Sequence, residues 1–176
     1  AQQLYEGLDI GTEGAVGLIT YMRTDSVKVA FSAIEEVRFY IKDKFGKEYL
    51  PPEANVYKSK KAAQEAHEAI RPSSVAREPE AIKQYLTQDQ YRLYKLIWAK
   101  FVASQMKPAV MSVLSIDIEA SKCLFRASGS TVIFPGFKAV YDDEEEALPS
   151  GDRKACPEGK RRKYIPKLEI GETVDL

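Results

Sequence analysis

One short segment of the sequence, GLITYMRTDS at residues 17–26, concentrates side chains that could act on a phosphodiester. It brings Tyr21 and Arg23 together where an apolar run ends and a helical pattern begins. In an extended backbone, residues two apart face the same way at about 6–7 Å, so both side chains could address one anionic group. A guanidinium beside a tyrosine hydroxyl would stabilise the forming phenolate and the charged phosphoryl oxygens. Chance is the competing explanation, because Tyr21 is one of 10 tyrosines.

The helix that must position this segment is predicted from Val27 onward. Apolar residues recur at helical spacing as far as Phe45, with Asp25 or Ser26 able to cap the start and Gly46 placed to end it. Backbone N–H groups at such a helix start would favour a bound anion. The pattern therefore predicts a strand-to-helix junction at the candidate site.

A second, short amphipathic helix is predicted from Ser59 to Arg71, since the residue before a proline disfavours the α region. Lys60, Gln64, His67 and Arg71 recur along one side of it at helical spacing. That row is basic and rich in hydrogen-bond donors, although a solvated helix face is the simpler interpretation of it. His67 is the only histidine of the chain.

Two further helices are predicted before residue 107. Glu78 to Leu86 could form a short one, and Thr87 with Gln90 makes a capping-box pattern at the head of a long one. Most of the circumference of the long helix is apolar, which predicts a central place in a helical core.

The pattern changes after Lys107 and Pro108. Two β-rich runs at residues 110–121 and 122–128 predict antiparallel sheet. Residues 142–163 contain a run of acids and then a run of bases without apolar periodicity, which predicts a mobile loop, and one more strand is expected from Tyr164. The sequence thus predicts an α+β protein, with a helical domain over residues 1–107 and a β-rich segment over residues 108–176.

Composition excludes several classes of protein. The 26 basic residues balance 26 acidic ones, so charge alone favours neither nucleic acid nor membrane. No apolar run approaches the roughly 18 residues of a membrane span and no secretory leader opens the chain, so we expect a cytoplasmic protein without a membrane partner. Cys123 and Cys156 lack the spacing of a zinc site. The acidic run at 142–146 is better explained as solvated than as a metal site, so no metal ligand is predicted.

Two segments together resemble a known family. YEG…GLITYMRTDS at residues 5–26, followed by QEAHEAIRPS at residues 64–73, is similar to the two most distinctive segments of type IA DNA topoisomerases. The similarity continues through KFGKEYLP, YKLIWAKFVASQM and GSTVIFPGFKAVY, and so covers nearly the whole chain. Met22 favours the bacterial topoisomerase I branch over topoisomerase III, which usually has TYPRTD, and over reverse gyrase, which tends to have histidine there.

The resemblance implies an activity and two catalytic residues. Tyr21 would attack a single-stranded segment of DNA and form a reversible 5′-phosphotyrosine linkage. The other strand would pass through the gap before religation, so negative supercoils would relax without ATP. Arg23 would position the scissile phosphate, in agreement with the charge argument above.

The resemblance also implies supporting residues. His67 matches a family histidine that approaches the DNA backbone, and Asp25 is the expected hydrogen-bond partner of that histidine. Thr24, Arg71 and Lys60 are expected to contact DNA or to support the site.

Several domains of type IA topoisomerases have no matching segment in this sequence. The family has a Toprim domain that binds Mg²⁺ through an acidic cluster, a gate domain and zinc ribbons. We therefore expect a central piece of a toroidal multidomain enzyme, with most of the helical CAP-like tyrosine domain over residues 1–107 and part of the arch domain after it. It would act on DNA at the nucleoid with the remaining domains of its polypeptide, bind no cofactor itself, and be inactive alone.

The sequence is also compatible with two other interpretations of its function. A non-catalytic module that binds single-stranded DNA or acts as a scaffold could retain the tyrosine segment, and an upstream Toprim segment in the gene would argue against it. An unrelated helical interaction domain would require both matching segments to be coincidental.

Overall fold

A computed structural model of the protein describes residues 1–57 and 67–141. These residues form two compact units, the first containing Ala1–Pro108 with residues 136–141 and the second containing Ala109–Pro135. The predicted loop at 142–163, the predicted strand after it, Lys60 and Gln64 lie outside the described residues.

The first unit begins with a short helix and a small hairpin. Helix α1 spans Gln2–Glu6, and strands β1, Leu8–Asp9, and β2, Ala15–Val16, pair antiparallel after it. The chain then runs beside a segment about fifty residues further on, with a bridge between Ile19 and Pro72. This pairing holds the residues that lead into Tyr21.

Helix α2 spans Phe31–Lys44, which confirms the predicted helix but corrects its start. The predicted start at Val27 is wrong because tertiary contacts hold the preceding residues extended. Lys28 O accepts from the Ala69 N–H at 2.7 Å, and the Ala30 N–H donates to Glu68 Oε1 at 2.7 Å. A single-turn 3₁₀ helix, Lys47–Tyr49, follows α2.

The predicted helix from Ser59 to Arg71 is wrong in its described part. Residues 67–71 have no helical hydrogen bonds, and the Arg71 N–H donates instead to Thr20 Oγ1 at 3.0 Å. Pairing with the strand segment before Tyr21 therefore overrides the amphipathic pattern of this stretch. The predicted row of Lys60, Gln64, His67 and Arg71 is consequently not one face of a helix that reaches Arg71.

The two helices predicted before residue 107 are confirmed. Helix α3, Pro79–Ile82, continues into a 3₁₀ turn, Lys83–Tyr85, and helix α4 spans Gln88–Ser104. The Thr87 side chain accepts from the Gln90 N–H, and the Gln90 side chain accepts from the Thr87 N–H, so the capping box is complete.

Helix α4 lies at the centre of the core of the first unit, as predicted. Its Tyr94 is fully buried and donates its hydroxyl to Arg77 O at 2.7 Å, while Trp98 donates its indole N–H to Val75 O at 2.9 Å. These bonds satisfy the only polar atoms of two large side chains, so both can be buried without an unpaired donor. The buried apolar side chains include Leu4, Leu18, Ile19, Val37, Ile41, Tyr94, Trp98, Phe101, Val102 and Met106.

The second unit is a two-stranded antiparallel hairpin. Strand β3, Val110–Ala120, pairs with strand β4, Cys123–Phe134, from Ala120 opposite Cys123 to Val110 opposite Phe134. Ser121 turns the chain with a φ of 57°, in the left-handed region that favours glycine. The helices and antiparallel strands confirm the predicted α+β class. Within residues 1–57 and 67–141, no helix is long and apolar enough to span a membrane.

Candidate active site

Tyr21 stands at the start of an irregular loop, residues 21–30, which ends where α2 begins. The Arg23 N–H donates to Tyr21 O at 2.9 Å, a three-residue γ-turn, so the extended geometry assumed from the sequence is wrong. The expected helix start directly after the site is wrong as well, because α2 begins only at Phe31. The main chains of Tyr21 and Arg23 are therefore joined by a tight turn.

The Tyr21 side chain is exposed at the start of this loop. Its relative exposure is 55%, which leaves the phenol open to a macromolecular substrate. Its ring meets that of Tyr5, with centroids 5.4 Å apart and planes inclined at 69°, an edge-to-face pair. The site thus presents an accessible hydroxyl on a ring that is held from one side.

Arg23 lies between two partners. Its Nε donates to both carboxylate oxygens of Asp25, at 2.9 and 3.1 Å, and its Nη1 lies 3.2 Å from His67 Nε2. The hydrogen bond from Arg23 lowers the pKa of Asp25 below its ordinary value of 3.8. The expected Asp25–His67 hydrogen bond is wrong in this structure, since the guanidinium binds both groups and joins them.

The contact with Arg23 defines the tautomer of His67. A guanidinium only donates hydrogen bonds, so His67 Nε2 must accept and the ring proton belongs on Nδ1. Nδ1 is buried and has no hydrogen-bond partner among the described residues. The main chain of His67 is fixed, because Ser26 Oγ donates to His67 O at 2.5 Å. The hydrogen bond to its main-chain carbonyl and the contact of its ring with Arg23 thus orient the histidine.

The other predicted site residues are placed differently. Arg71 is mostly buried and makes a two-pronged ion pair with Glu68, with Nε–Oε1 and Nη2–Oε2 distances of 3.0 Å. Its third contact, from Nη1 to Pro72 O at 2.9 Å, is also local. Thr24 is exposed on the loop, whereas Lys60 lies outside the described residues. The contacts of Arg71 support the local structural role that the sequence left open.

Two positioning residues were missed from the sequence. Thr20 Oγ1 donates to Ala69 O at 2.8 Å and accepts from the Arg71 N–H at 3.0 Å, so one hydroxyl joins the two halves of the site. Glu68 binds both Arg71 and the Ala30 N–H ahead of α2. The only sequence signal was their position inside the two distinctive segments, because Ala30 is 38 residues from Glu68 and the partners of Thr20 are about fifty residues away.

The described residues do not fit a Mg²⁺ ion. Within residues 1–57 and 67–141, no three His, Cys, Asp or Glu side chains gather into a group that could hold a metal. The carboxylate of Asp25, two residues from Arg23, is already bound by the guanidinium.

The arrangement has the parts needed for attack on a phosphodiester. An exposed phenol can reach a phosphate, and a guanidinium from two residues further along the same loop can neutralise the charge that develops on the phosphoryl oxygens. Arg23 is oriented by a carboxylate and an imidazole, so its position is set before a substrate arrives. The site has the character of a nucleophilic centre for phosphoryl transfer.

Comparison with known proteins agrees with this character. The model of a family described as DNA topoisomerase matches residues 1–175. Proteins named DNA topoisomerase 1 from two strains of Xylella fastidiosa, Temecula1 and 9a5c, are each 45% identical over 178 residues, covering 100% of this chain and 21% of theirs. The structure of full-length topoisomerase I from Thermotoga maritima matches with a TM-score of 0.66 and 40% identity, over 79% of this chain and 22% of that one.

The chain belongs to the DNA topoisomerase family. The similarity to bacterial topoisomerase I confirms the branch inferred from the two distinctive segments. The chain spans about one fifth of the length of the curated relatives that it matches.

Proposed function

We propose that this chain carries the nucleophile of a type IA topoisomerase that relaxes negatively supercoiled DNA without ATP. Tyr21 Oη attacks a backbone phosphorus of a single-stranded segment, a P–O bond to Tyr21 forms, and the P–O3′ bond breaks. The phenolic proton is lost and the 3′ oxygen leaves as a hydroxyl. Attack of that hydroxyl on the phosphotyrosine, after strand passage, reverses the step and restores the strand.

Arg23 positions the scissile phosphate in this proposal. Its guanidinium is fixed by Asp25 and His67, so it can stabilise the charge of the transition state with little reorganisation. The observation that carries the proposal is the exposed Tyr21 phenol on the same tight turn as this fixed cation. Family membership supports it independently.

The Mg²⁺ requirement belongs to the same proposal. The resemblance assigns the metal to the acidic cluster of a Toprim domain elsewhere in the polypeptide, and it assigns the proton of the 3′-hydroxyl leaving group to a glutamate of that domain. We propose that the whole protein works on DNA in the cytoplasm, at the nucleoid. Contacts with single-stranded DNA would be made mainly to phosphate and would weaken steeply with salt.

Trapping of a covalent adduct tests the nucleophile. The full-length protein is mixed with Mg²⁺ and a labelled single-stranded oligonucleotide, and adducts are separated on a denaturing gel. We expect an adduct in the parent protein and none in Tyr21→Phe, which lacks the attacking oxygen. Tyr85→Phe is the matched control, since Tyr85 is another partly exposed tyrosine of the first unit, and it should retain the adduct. An adduct formed by Tyr21→Phe would refute the proposal.

The isolated chain gives a second test. We expect the 176-residue chain alone to leave a negatively supercoiled plasmid unchanged, because the metal and the proton donor for the 3′ oxygen would be supplied by other domains. Agarose gels of plasmid incubated with the chain and Mg²⁺ measure this directly. Relaxation that disappears in Tyr21→Phe would contradict the expectation that the chain is inactive without the other domains.

A further inference from the structure

We propose that Tyr5 is a positioning residue for Tyr21, holding the phenol ring in the orientation from which it attacks the phosphate. This inference rests on the proposed function. Tyr5 itself does not react. Its contribution is to restrict the rotamers of an exposed nucleophile.

The contact between the two rings is direct. The centroids of Tyr5 and Tyr21 are 5.4 Å apart at an angle of 69°, which is within the favourable range for an edge-to-face pair. Both side chains are partly exposed, at 40% and 55% of their surfaces, so few other atoms restrict the Tyr21 ring. The ring of Tyr5 is therefore a main constraint on the direction of the nucleophile.

The main chain makes Tyr5 a rigid support. Leu4 O, at the preceding residue, accepts from the Leu18 N–H at 2.6 Å and from the Ile19 N–H at 3.3 Å. Leu4 and Leu18 are both fully buried. Helix α1 and the segment that leads to Tyr21 are thus held together by backbone bonds and by core packing.

Gly17 permits the close approach of these two segments. A Cβ atom built at Gly17 would lie 2.7 Å from Tyr5 O, closer than van der Waals contact allows. The segment carrying Tyr21 can therefore pass directly beside the carbonyl of Tyr5 only because residue 17 lacks a side chain. This spacing sets the distance between the two tyrosine rings.

Restriction of the ring affects the rate of attack. Reaction requires the hydroxyl oxygen close to phosphorus and in line with the leaving oxygen, so rotamers that point elsewhere are unproductive. An edge-to-face pair of this kind is worth roughly a two- to tenfold bias in favour of the paired rotamer. Loss of the Tyr5 ring should slow cleavage by a similar factor.

Single-turnover cleavage in the full-length protein tests this inference. Tyr5→Leu removes the ring and retains apolar bulk, Tyr5→Phe retains the ring, and Phe39→Leu removes an exposed ring of α2 as a matched control. We measure the rate of adduct formation with saturating oligonucleotide, the oligonucleotide affinity at equilibrium, and the thermal midpoint. Tyr5→Leu should lower the rate two- to tenfold with unchanged affinity, whereas Tyr5→Phe and Phe39→Leu should keep the parent rate.

The outcomes separate this inference from the proposed function. Adducts that depend on Tyr21 but form at the parent rate in Tyr5→Leu would overturn the positioning role and leave the nucleophile intact. Weaker oligonucleotide binding with an unchanged cleavage rate would also overturn it, because Tyr5 would then contact DNA directly. The positioning role would be supported if Tyr5→Leu formed the adduct more slowly at a parent-like thermal midpoint and Tyr5→Phe formed it at the parent rate.

Discussion

The first unit and the β3–β4 hairpin stabilise their backbones in different ways. Every buried apolar side chain of the described residues belongs to the first unit, where even irregular segments are tied down by long-range bonds. The hairpin has a nearly complete ladder of main-chain pairs, but apolar side chains such as Val113, Leu124 and Phe125 remain more than half exposed. A strand pair held mainly by main-chain bonds is only marginally stable by itself, whereas burial is what fixes the side chains of a site.

The largest expected difference between the units comes from truncation of a leucine. Leu18→Ala removes a fully buried side chain next to the segment that carries Tyr21, and should lower the free energy of unfolding by about 2–5 kcal/mol. Leu124→Ala, at 62% exposure in the hairpin, should change it by less than about 0.5 kcal/mol.

Urea unfolding followed by far-UV circular dichroism measures both changes. Trp98, the only tryptophan, reports on the first unit separately through its fluorescence. Equal destabilisation by the two substitutions would contradict this difference between the two units, since it would mean that the side chain of Leu124 is buried in solution.

A smaller difference is expected when a hydroxyl is removed. Thr20→Val keeps the shape of the side chain but leaves Ala69 O and the Arg71 N–H without their partner, at a cost of about 1–3 kcal/mol. Ser128→Ala breaks the exposed Ser115–Ser128 contact of the hairpin and should be nearly neutral.

The same hydroxyl should also matter for the site. Because Thr20 joins the segment before Tyr21 to the segment after His67, we expect Thr20→Val to slow adduct formation in the full-length protein, and Ser128→Ala to leave the rate unchanged. A stable Thr20→Val with parent-like kinetics would show that the site does not depend on this junction.

The smallest expected effect concerns one ion pair in each unit. Hydrogen bonds from Arg23 and from Arg126 lower the pKa values of Asp25 and Asp117 below 3.8. A depressed carboxyl pKa stabilises the fold fully above the ordinary value, and this contribution is lost only as the pH falls through the lowered pKa. Both pairs should therefore stay charged at neutral pH and dissociate in acid.

Carboxyl titration by NMR checks this and also distinguishes the two pairs. Arg126→Gln should raise the Asp117 pKa from its lowered value, because the hydrogen bond and the charge of Arg126 are what lower it. Arg23→Gln should likewise raise the Asp25 pKa from its lowered value, because the hydrogen bond from Arg23 is the largest cause of that lowering. An Asp25 pKa that stays low in Arg23→Gln would show that other groups, such as the backbone N–H bonded to this carboxylate, set it instead.

Local patterns predicted the regular elements of the fold well. The capping box of Thr87 and Gln90, the apolar circumference of α4 and the strand pair after Pro108 are all properties of neighbouring residues, which a sequence displays directly. The predicted helices at Val27 and at Ser59–Arg71 were wrong where distant partners compete for the backbone. Lys28 with Ala69, and Thr20 with Arg71, are such partners.

The site could be predicted as a set of residues but not as a geometry. Tyr21, Arg23 and His67 were identified by their segments, and the structure brings Arg23 and His67 together. The γ-turn at Tyr21, the guanidinium between Asp25 and His67, and the pairing of Arg71 with Glu68 could not be predicted. Each depends on which of several acceptors within reach a donor binds, and burial and the neighbouring backbone decide that.

The pairing of Thr20 with Arg71 has a consequence for how the candidate site assembles during synthesis. These residues are 51 apart in the chain, so a ribosome adding roughly 5–20 residues per second needs several seconds to deliver the second after the first. Throughout that interval Tyr21 is present without the segment that supplies His67. The contacts around Tyr21 therefore form only after the later segment has been synthesised and has folded back onto the earlier one.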